Sequence, residues 1–282
     1  MDDIELFNKV VSNDFNHMKN MIERGDYPND KFWALIFNHD DFKLIKDLSD
    51  YFSGSIGFNF SIDCLRLFYE GKVDGDLCYK ILFFGLENNY VNKADFKRSF
   101  MEEAIYQVLS SGDGAFKVIS FFTDNSIDFH SETALFSAIE HGAEKTVKLL
   151  LENINYDNDT LGEALNHVYH TSETNETVVI NIFNSILKYS PSLDFNEGEF
   201  ESHLLDCLFV YTYLFDSIIG YDIKIEDLNE FDCWQEILEE TNEIELIEMV
   251  NNLNKVKDNF DSEKLLEAAN KNNHKLIIES FS

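Results

Sequence analysis

The sequence predicts an all-α protein, a solenoid of about eight or nine helical hairpins that stack one on the next. Three observations carry this prediction. The 282 residues include only two Pro and 12 Gly, fewer than the turns of a β-sandwich or β-barrel need. Apolar residues recur at the i, i+3, i+4 spacing of one helical face. Short apolar helical pairs also alternate with polar loops rich in Asp, Asn, Ser or Gly.

The clearest pair is 131–157, with the sequence SETALFSAIEHGAEKTVKLLLENINYD. Leu135, Ala138 and Ile139 share one face of its first predicted helix. The tripeptide EHG at 140–142 forms the predicted turn, and the apolar spacing returns in the second helix. This segment serves as the template for the other pairs.

Eight further segments follow the same layout, and their first-helix anchors recur every 27 to 40 residues. These segments are 5–29, 32–52, a looser copy at 64–86, 102–129, 163–195 with a longer inner turn, 203–223, 234–253 and 265–281. One pair cannot bury its apolar face alone, so neighbours are expected to share a core filled by the 26 Phe and 12 Tyr. We expect one elongated repeat domain over 1–282, whose division, if any, separates 1–130 from a more acidic 131–282.

The template pair resembles the ankyrin-repeat family, whose unit of about 33 residues is two antiparallel helices and a loop. The T-P-L-H-x-A signature of that family corresponds to TALFSA at 133–138, with Phe136 in place of His. Gly142 matches the glycine between the helices, and the LL pair at 150–151 matches the end of the second helix. The resemblance extends to 5–29 and 265–281. It implies a protein-interaction module; the alternative is another α-solenoid with irregular hairpins.

Charge narrows the range of partners. Asp and Glu number 53 against 22 Lys and Arg, a net charge of −31, which argues against binding free nucleic acid or an anionic membrane. Seventeen acids but only Lys224 among cations lie between Asp194 and Glu248, a local net charge of −16. We interpret this segment as a binding face for a basic partner; the alternative is a generally acidic, solvated surface. The candidate partner-binding residues are Asp222, Glu226, Asp227, Glu230, Asp232, Glu236, Glu239, Glu240, Glu243 and Glu245.

Motifs for catalysis or metal binding do not stand out. The sequence lacks GxSxG, Walker, GxGxxG and HExxH patterns. His167 and His170 are one helical turn apart, but chance proximity to acids explains them better than a metal site. The acidic loops 124–128 and 156–160 lack the Gly and Glu of a calcium loop and are typical of helix caps. We therefore expect no cofactor, no metal and no enzymatic activity, and we expect the four widely spaced cysteines to be reduced core residues.

The resulting functional hypothesis is a non-enzymatic inhibitor. Its acidic surface would block a basic protein that acts on nucleic acid, as an immunity or counter-defence protein does. The alternative is an ankyrin-like scaffold or host-directed effector that binds its partner through loops, and an enzyme comes third. The acidic start MDDIELFNKV lacks a signal-peptide pattern, so we expect a cytoplasmic protein, in the host cell if it is viral. The excess of 19 Lys over 3 Arg is typical of AT-rich genomes such as those of many phages and large viruses.

Overall fold

The computed structural model describes residues 2–12, 14–24, 30–52, 60–171, 175–189, 212–218, 234, 238, 243–255 and 262–282. Every regular element in these residues is helical, and none of them lies in a strand, which confirms the all-α prediction. The chain divides into two compact units, Met1–Ile154 and Asn155–Ser282. No described helix is long and apolar enough to cross a lipid bilayer.

The first unit contains ten α-helices among its described residues. They are α1 (Asp3–Val11), α2 (Asn16–Glu23), α3 (Asp30–Asn38), α4 (Phe42–Phe52), α5 (Phe60–Tyr69), α6 (Gly75–Glu87), α7 (Ser99–Leu109), α8 (Phe116–Asp124), α9 (Ser131–Glu140) and α10 (Glu144–Asn153). Two short 3-10 helices, Lys93–Lys97 and Gly112–Ala115, precede α7 and α8. The pairs from α1–α2 to α9–α10 coincide with the five predicted segments of this part of the chain.

The described helices of the second unit are fewer. They are α11 (Asn158–Tyr169), α12 (Glu176–Tyr189), α13 (Phe215–Ile218), α14 (Glu243–Lys255), α15 (Ser262–Asn272) and α16 (Lys275–Phe281), with a 3-10 helix at Thr212–Leu214. The pair α11–α12 matches the predicted segment 163–195, and α15–α16 matches 265–281. Much of the predicted segments 203–223 and 234–253 lies outside the described residues.

In the first unit, the first helices of consecutive pairs pack on one another, and so do the second helices α6, α8 and α10. Helix α3 contacts α1 and α5, and α7 contacts α5 and α9. On the other side, α8 contacts both α6 and α10. Consecutive pairs therefore stack side by side, which buries apolar residues that a single pair would leave in water.

Hydrogen bonds between consecutive pairs show the register of this stacking. Several of them join residues 31 to 34 positions apart: Asn38 Nδ2 to Lys72 O at 2.7 Å, Lys97 Nζ to Phe129 O at 3.2 Å, His130 Nε2 to Arg98 O at 3.0 Å, Thr133 Oγ1 to Glu102 Oε1 at 3.1 Å, and the Lys145 amide to Asp113 Oδ1 at 3.0 Å. Two tyrosine hydroxyl bonds, from Tyr79 to Asp124 and from Tyr90 to Asp50, span 45 and 40 positions instead. Each bond satisfies a polar group of one pair with a group of the next pair.

Three of the turns between the helices of a pair share one backbone motif. Gly142 has φ +64°, its amide donates to Ile139 O at 3.0 Å, and the Ala143 amide donates to Ala138 O at 2.8 Å. This is a Schellman motif, which requires a left-handed residue after the helix and favours Gly or Asn there. The same two bonds occur around Gly71 and around Asn273. The predicted turn at 140–142 is confirmed.

The predicted apolar faces are confirmed in the template pair. Leu135, Ala138, Ile139 and Val147 are fully buried. In the neighbouring layer the Phe96 ring lies 4.9 Å from that of Phe122 and 6.1 Å from that of Phe121, centroid to centroid, with edge-to-face geometry. Aromatic side chains thus fill the layers between helices, as the composition indicates.

A tight contact in the last turn of α6 depends on glycine. A Cβ atom added to Gly85 would lie 2.6 Å from a ring carbon of Phe60 and 2.7 Å from a methyl carbon of Val91. Both of these side chains are buried and have little room to move. By contrast, the nearest atom to a Cβ on Gly114 would be 3.7 Å away, which is ordinary van der Waals contact.

We expect Gly85→Ala to lower the free energy of unfolding by about 1–2 kcal/mol, since overpacking outweighs the gain in helix propensity. Urea unfolding followed by circular dichroism measures the change. Gly114→Ala is the matched control and should stay within about 0.5 kcal/mol of the wild type. Equal stability of the two variants would show that the layer around Phe60 is loosely packed.

Candidate partner-binding surface

The acidic segment predicted as the binding face is mostly outside the described residues. Eight of its ten candidate residues lie there: Asp222, Glu226, Asp227, Glu230, Asp232, Glu236, Glu239 and Glu240. Glu243 and Glu245 belong to the first turn of α14. The position of this surface therefore stays a prediction from the sequence.

The structure reveals another acidic surface, in the first unit. Helices α7 and α9 pack against each other, and neither contains Lys or Arg. Glu102, Glu103 and Glu132 are exposed, and Glu140 is partly exposed. Together with the exposed Tyr106, these four side chains form what we call the first-helix acidic face.

Hydrogen bonds within and between the two helices hold this face in place. The Thr133 hydroxyl of α9 donates to the Glu102 carboxylate of α7 at 3.1 Å. Within α7, the amide of Gln107 donates to the Glu103 carboxylate one turn earlier at 2.8 Å. Each bond restrains a carboxylate without neutralising it, so the negative charge stays on the surface.

Tyr106 lies beside these carboxylates and is held by the following pair. Its side chain is 40% exposed, and its ring meets the His141 ring edge-on at a centroid distance of 6.0 Å. His141 Nδ1 lies 2.8 Å from the Ser137 carbonyl oxygen, and the Ser137 hydroxyl lies 3.4 Å from the carbonyl oxygen of Tyr106. An exposed aromatic ring with a fixed neighbour is typical of an interface anchor.

The lysines of the same two pairs lie on the second helices. Lys117 of α8 pairs with Asp76 at 3.4 Å. On α10, Lys145 pairs with Asp113 at 3.3 Å and Lys148 with Glu144 at 2.5 Å. Positive charge on these four helices is therefore confined to α8 and α10, where it is paired. Two cations directly precede α7 and are also paired: Arg98 with Asp95 and Lys97 with Asp128, each at 3.2 Å.

The acidic loops act as helix caps or inter-helix links. The Thr160 amide donates to Asp157 at 2.8 Å, and this bond lowers the pKa of the Asp157 carboxyl. At the C-terminal end of α8, Asp124 accepts a hydrogen bond from the Tyr79 hydroxyl at 3.1 Å. Burial and this bond together raise the pKa of Tyr79. The predicted capping role is confirmed for Asp157.

The remaining features considered for binding are a metal site and a surface cleft. In the described part of the chain, no three His, Cys, Asp or Glu residues are grouped to hold a metal ion. A cleft of about 520 Å³ at the turns of the first unit is lined by Asn38, Tyr69 and Lys72, among others. Its polar groups are engaged in the fold, since Lys72 pairs with Glu70 at 2.5 Å and Asp74 caps α6.

Comparison with known proteins identifies no relative of this chain. No protein-family model, no curated protein and no solved structure matches this chain. The function of the chain is therefore inferred from its own residues.

A second tyrosine–aspartate link gives a test at alkaline pH. The Tyr90 hydroxyl donates to the Asp50 carboxylate, and burial together with this carboxylate raises the pKa of Tyr90 to about 12. A tyrosine in the unfolded chain ionises near pH 10. The contribution of Tyr90 to stability is therefore complete below about pH 10 and is lost as the pH rises through about 12.

We expect phenolate absorbance to show one tyrosine that ionises near pH 12 in the wild type and is missing in Tyr90→Phe. Asp50→Asn should move that ionisation towards pH 10. Circular dichroism at each pH restricts the comparison to folded protein. If Tyr90→Phe instead removes a group that ionises near pH 10, the link to Asp50 is not formed in solution.

Proposed function

We propose that this chain is a non-enzymatic protein-binding module whose acidic helical surfaces dock a basic partner. In the most concrete form it is an inhibitor that covers the nucleic-acid-binding surface of its partner, with carboxylates in place of phosphates. Immunity and counter-defence proteins have this role. The observation that carries the proposal is the separation of charge between α7 and α9 on one side and α8 and α10 on the other.

The repeat architecture supports the proposal. The first helices of consecutive pairs pack on one another along the first unit, and several hydrogen bonds between pairs join residues 31 to 34 positions apart. That separation is close to the ankyrin unit of about 33 residues. We propose that these pairs are degenerate ankyrin-like repeats. Ankyrin-like proteins generally bind other proteins, although a fold by itself does not determine a function.

The charge balance of the two units favours a basic partner. Met1–Ile154 contains 26 acidic and 15 basic residues, whereas Asn155–Ser282 contains 27 acidic and only 7 basic residues. Like charges at this density repel one another and lower the stability of the folded chain. A basic partner relieves that repulsion and is also steered towards the acidic surface before contact, which speeds association.

A second candidate is an ankyrin-like scaffold, or a host-directed effector, that binds through its loops. The observation in its favour is the cleft at the inter-helix turns, where Tyr69 is 45% exposed beside Gly71. Binding there would depend on shape and apolar contact rather than on charge. The response to salt separates the two candidates, because exposed charges are screened over about 8 Å at physiological ionic strength.

The first test uses one variant in which amides replace the four carboxylates of the first-helix acidic face. It carries Glu102→Gln, Glu103→Gln, Glu132→Gln and Glu140→Gln together. Partners are captured from host lysate, identified by mass spectrometry and purified. We expect the captured partners to be basic nucleic-acid-binding proteins. Their association with the wild type should slow at least about tenfold when the salt concentration rises from about 50 to about 200 mM. Duplex DNA should compete for them, and the fourfold variant should associate about tenfold more slowly.

The matched control carries the same change in net charge on exposed acids of second helices, namely Glu23→Gln, Asp47→Asn, Glu87→Gln and Glu152→Gln. It should retain most of the wild-type rate. If both variants slow equally, the charge acts globally and the face is not the docking site. Binding that is indifferent to salt and to DNA would overturn the inhibitor proposal in favour of the loop-binding scaffold.

The second test concerns the C-terminal acidic segment. Glu239, Glu240, Glu243 and Glu245 are replaced together by Gln, and association with the same purified partner is measured by surface plasmon resonance. We expect slower association with a smaller dependence on salt, because fewer charges steer the partner. Unchanged association would show that the partner does not use this segment, leaving the first-helix acidic face as the docking site.

A further inference from the structure

Two thiols meet in the core of the α5–α6 pair. Cys64 of α5 and Cys78 of α6 are both fully buried, and their Sγ atoms are 3.5 Å apart. Each sulfur also lies near the backbone carbonyl oxygen of the other cysteine, at 3.8 and 3.9 Å. The two helices therefore approach each other closely at this level.

This arrangement is close to that of a disulfide. Cysteines can be joined without moving the backbone when their Cα atoms are within about 7 Å of each other and their Cβ vectors converge. The contact between the two sulfurs, and the approach of each sulfur to the opposite carbonyl oxygen, indicate that the two side chains converge between closely packed helices. Bond formation requires the sulfurs to close from 3.5 Å to about 2.0 Å, which is within reach of small side-chain rotations.

We propose that Cys64 and Cys78 form a reversible intramolecular disulfide when the protein meets a low-molecular-weight disulfide such as oxidised glutathione. One cysteine thiolate attacks the oxidant, forms a mixed disulfide and releases one glutathione thiolate. The other cysteine then attacks the protein sulfur of that mixed disulfide, and the second glutathione leaves. Two electrons pass to the oxidant, and the two protons of the protein thiols end on the two glutathione thiols.

Burial sets the rate of this reaction. The thiolate is the attacking form, and burial, with the neighbouring Cys78 as a further cause, raises the pKa of the Cys64 thiol well above its ordinary value. Oxidation therefore proceeds through local opening of the α5–α6 pair. The thiols should be insensitive to brief exposure and should respond to a sustained oxidising environment.

The position of the bond determines its effect. Helix α5 packs between α3 and α7, and α6 packs against α8, so the bond would join the two stacks of the first unit. It would also close the loop from 64 to 78, which reduces the entropy of the unfolded chain. The oxidised protein is thus expected to be the more stable form.

The experiment incubates the native full-length protein with oxidised glutathione and compares it with the reduced protein. We expect the loss of two hydrogen atoms in the intact mass, a cross-linked peptide containing Cys64 and Cys78, and a midpoint of thermal unfolding about 5 °C higher. Dithiothreitol should reverse all three changes. Near-ultraviolet circular dichroism before and after oxidation confirms that the fold is retained.

The variant Cys207→Ser with Cys233→Ser is the control, because an intramolecular disulfide in it can only join Cys64 to Cys78. If that variant does not fold, peptide mapping of the wild type answers the same question. Three results would overturn the proposal: both thiols alkylated in full after prolonged oxidation, a stable glutathione adduct on either one, or pairing of either one with Cys207 or Cys233.

Discussion

The structure depends on one constraint: a pair of short helices cannot bury its apolar residues by itself. In α9 the buried residues Ala134, Leu135, Ala138 and Ile139 extend around more than one side of the helix. That helix packs against its own partner α10 and against α7 of the preceding pair. The neighbours are thus part of the core of each pair, and stability is shared along the array. The left-handed turn residues and the hydrogen bonds between pairs maintain the register that this sharing requires.

Stacking also explains how the charge is arranged. A first helix contacts its neighbours on either side and its own second helix, so its remaining side is open to solvent. The charged side chains of α7 and α9 are all negative, and Tyr106 is exposed beside them. The lysines of α8 and α10 instead pair with nearby carboxylates, and exposed pairs of this kind add little stability. Glu102 links α7 to α9 through Thr133, but this bond does not neutralise its charge, which is why we relate the negative charge of this face to binding.

The thiol pair follows from the same packing. Cys64 and Cys78 occupy the apolar layer between the two helices of one pair, where small residues allow close approach. The same layer makes the thiols slow to react, because it disfavours the thiolate. Oxidation of the pair therefore depends on how often the layer opens.

The sequence by itself determined that the chain is helical, where the pairs of the first unit lie, and that Gly142 forms a turn. These features depend on local signals, namely apolar periodicity and the left-handed conformation that glycine accepts. Only the tertiary structure decided which acidic residues lie together. Glu102 and Thr133 are 31 positions apart and meet because α7 and α9 stack in a particular register. Likewise, Cys64 and Cys78 are separated in sequence and are brought into contact by the antiparallel packing of α5 and α6. Contacts between helices depend on the register of stacking, which is set by the shape of the whole core rather than by any short segment.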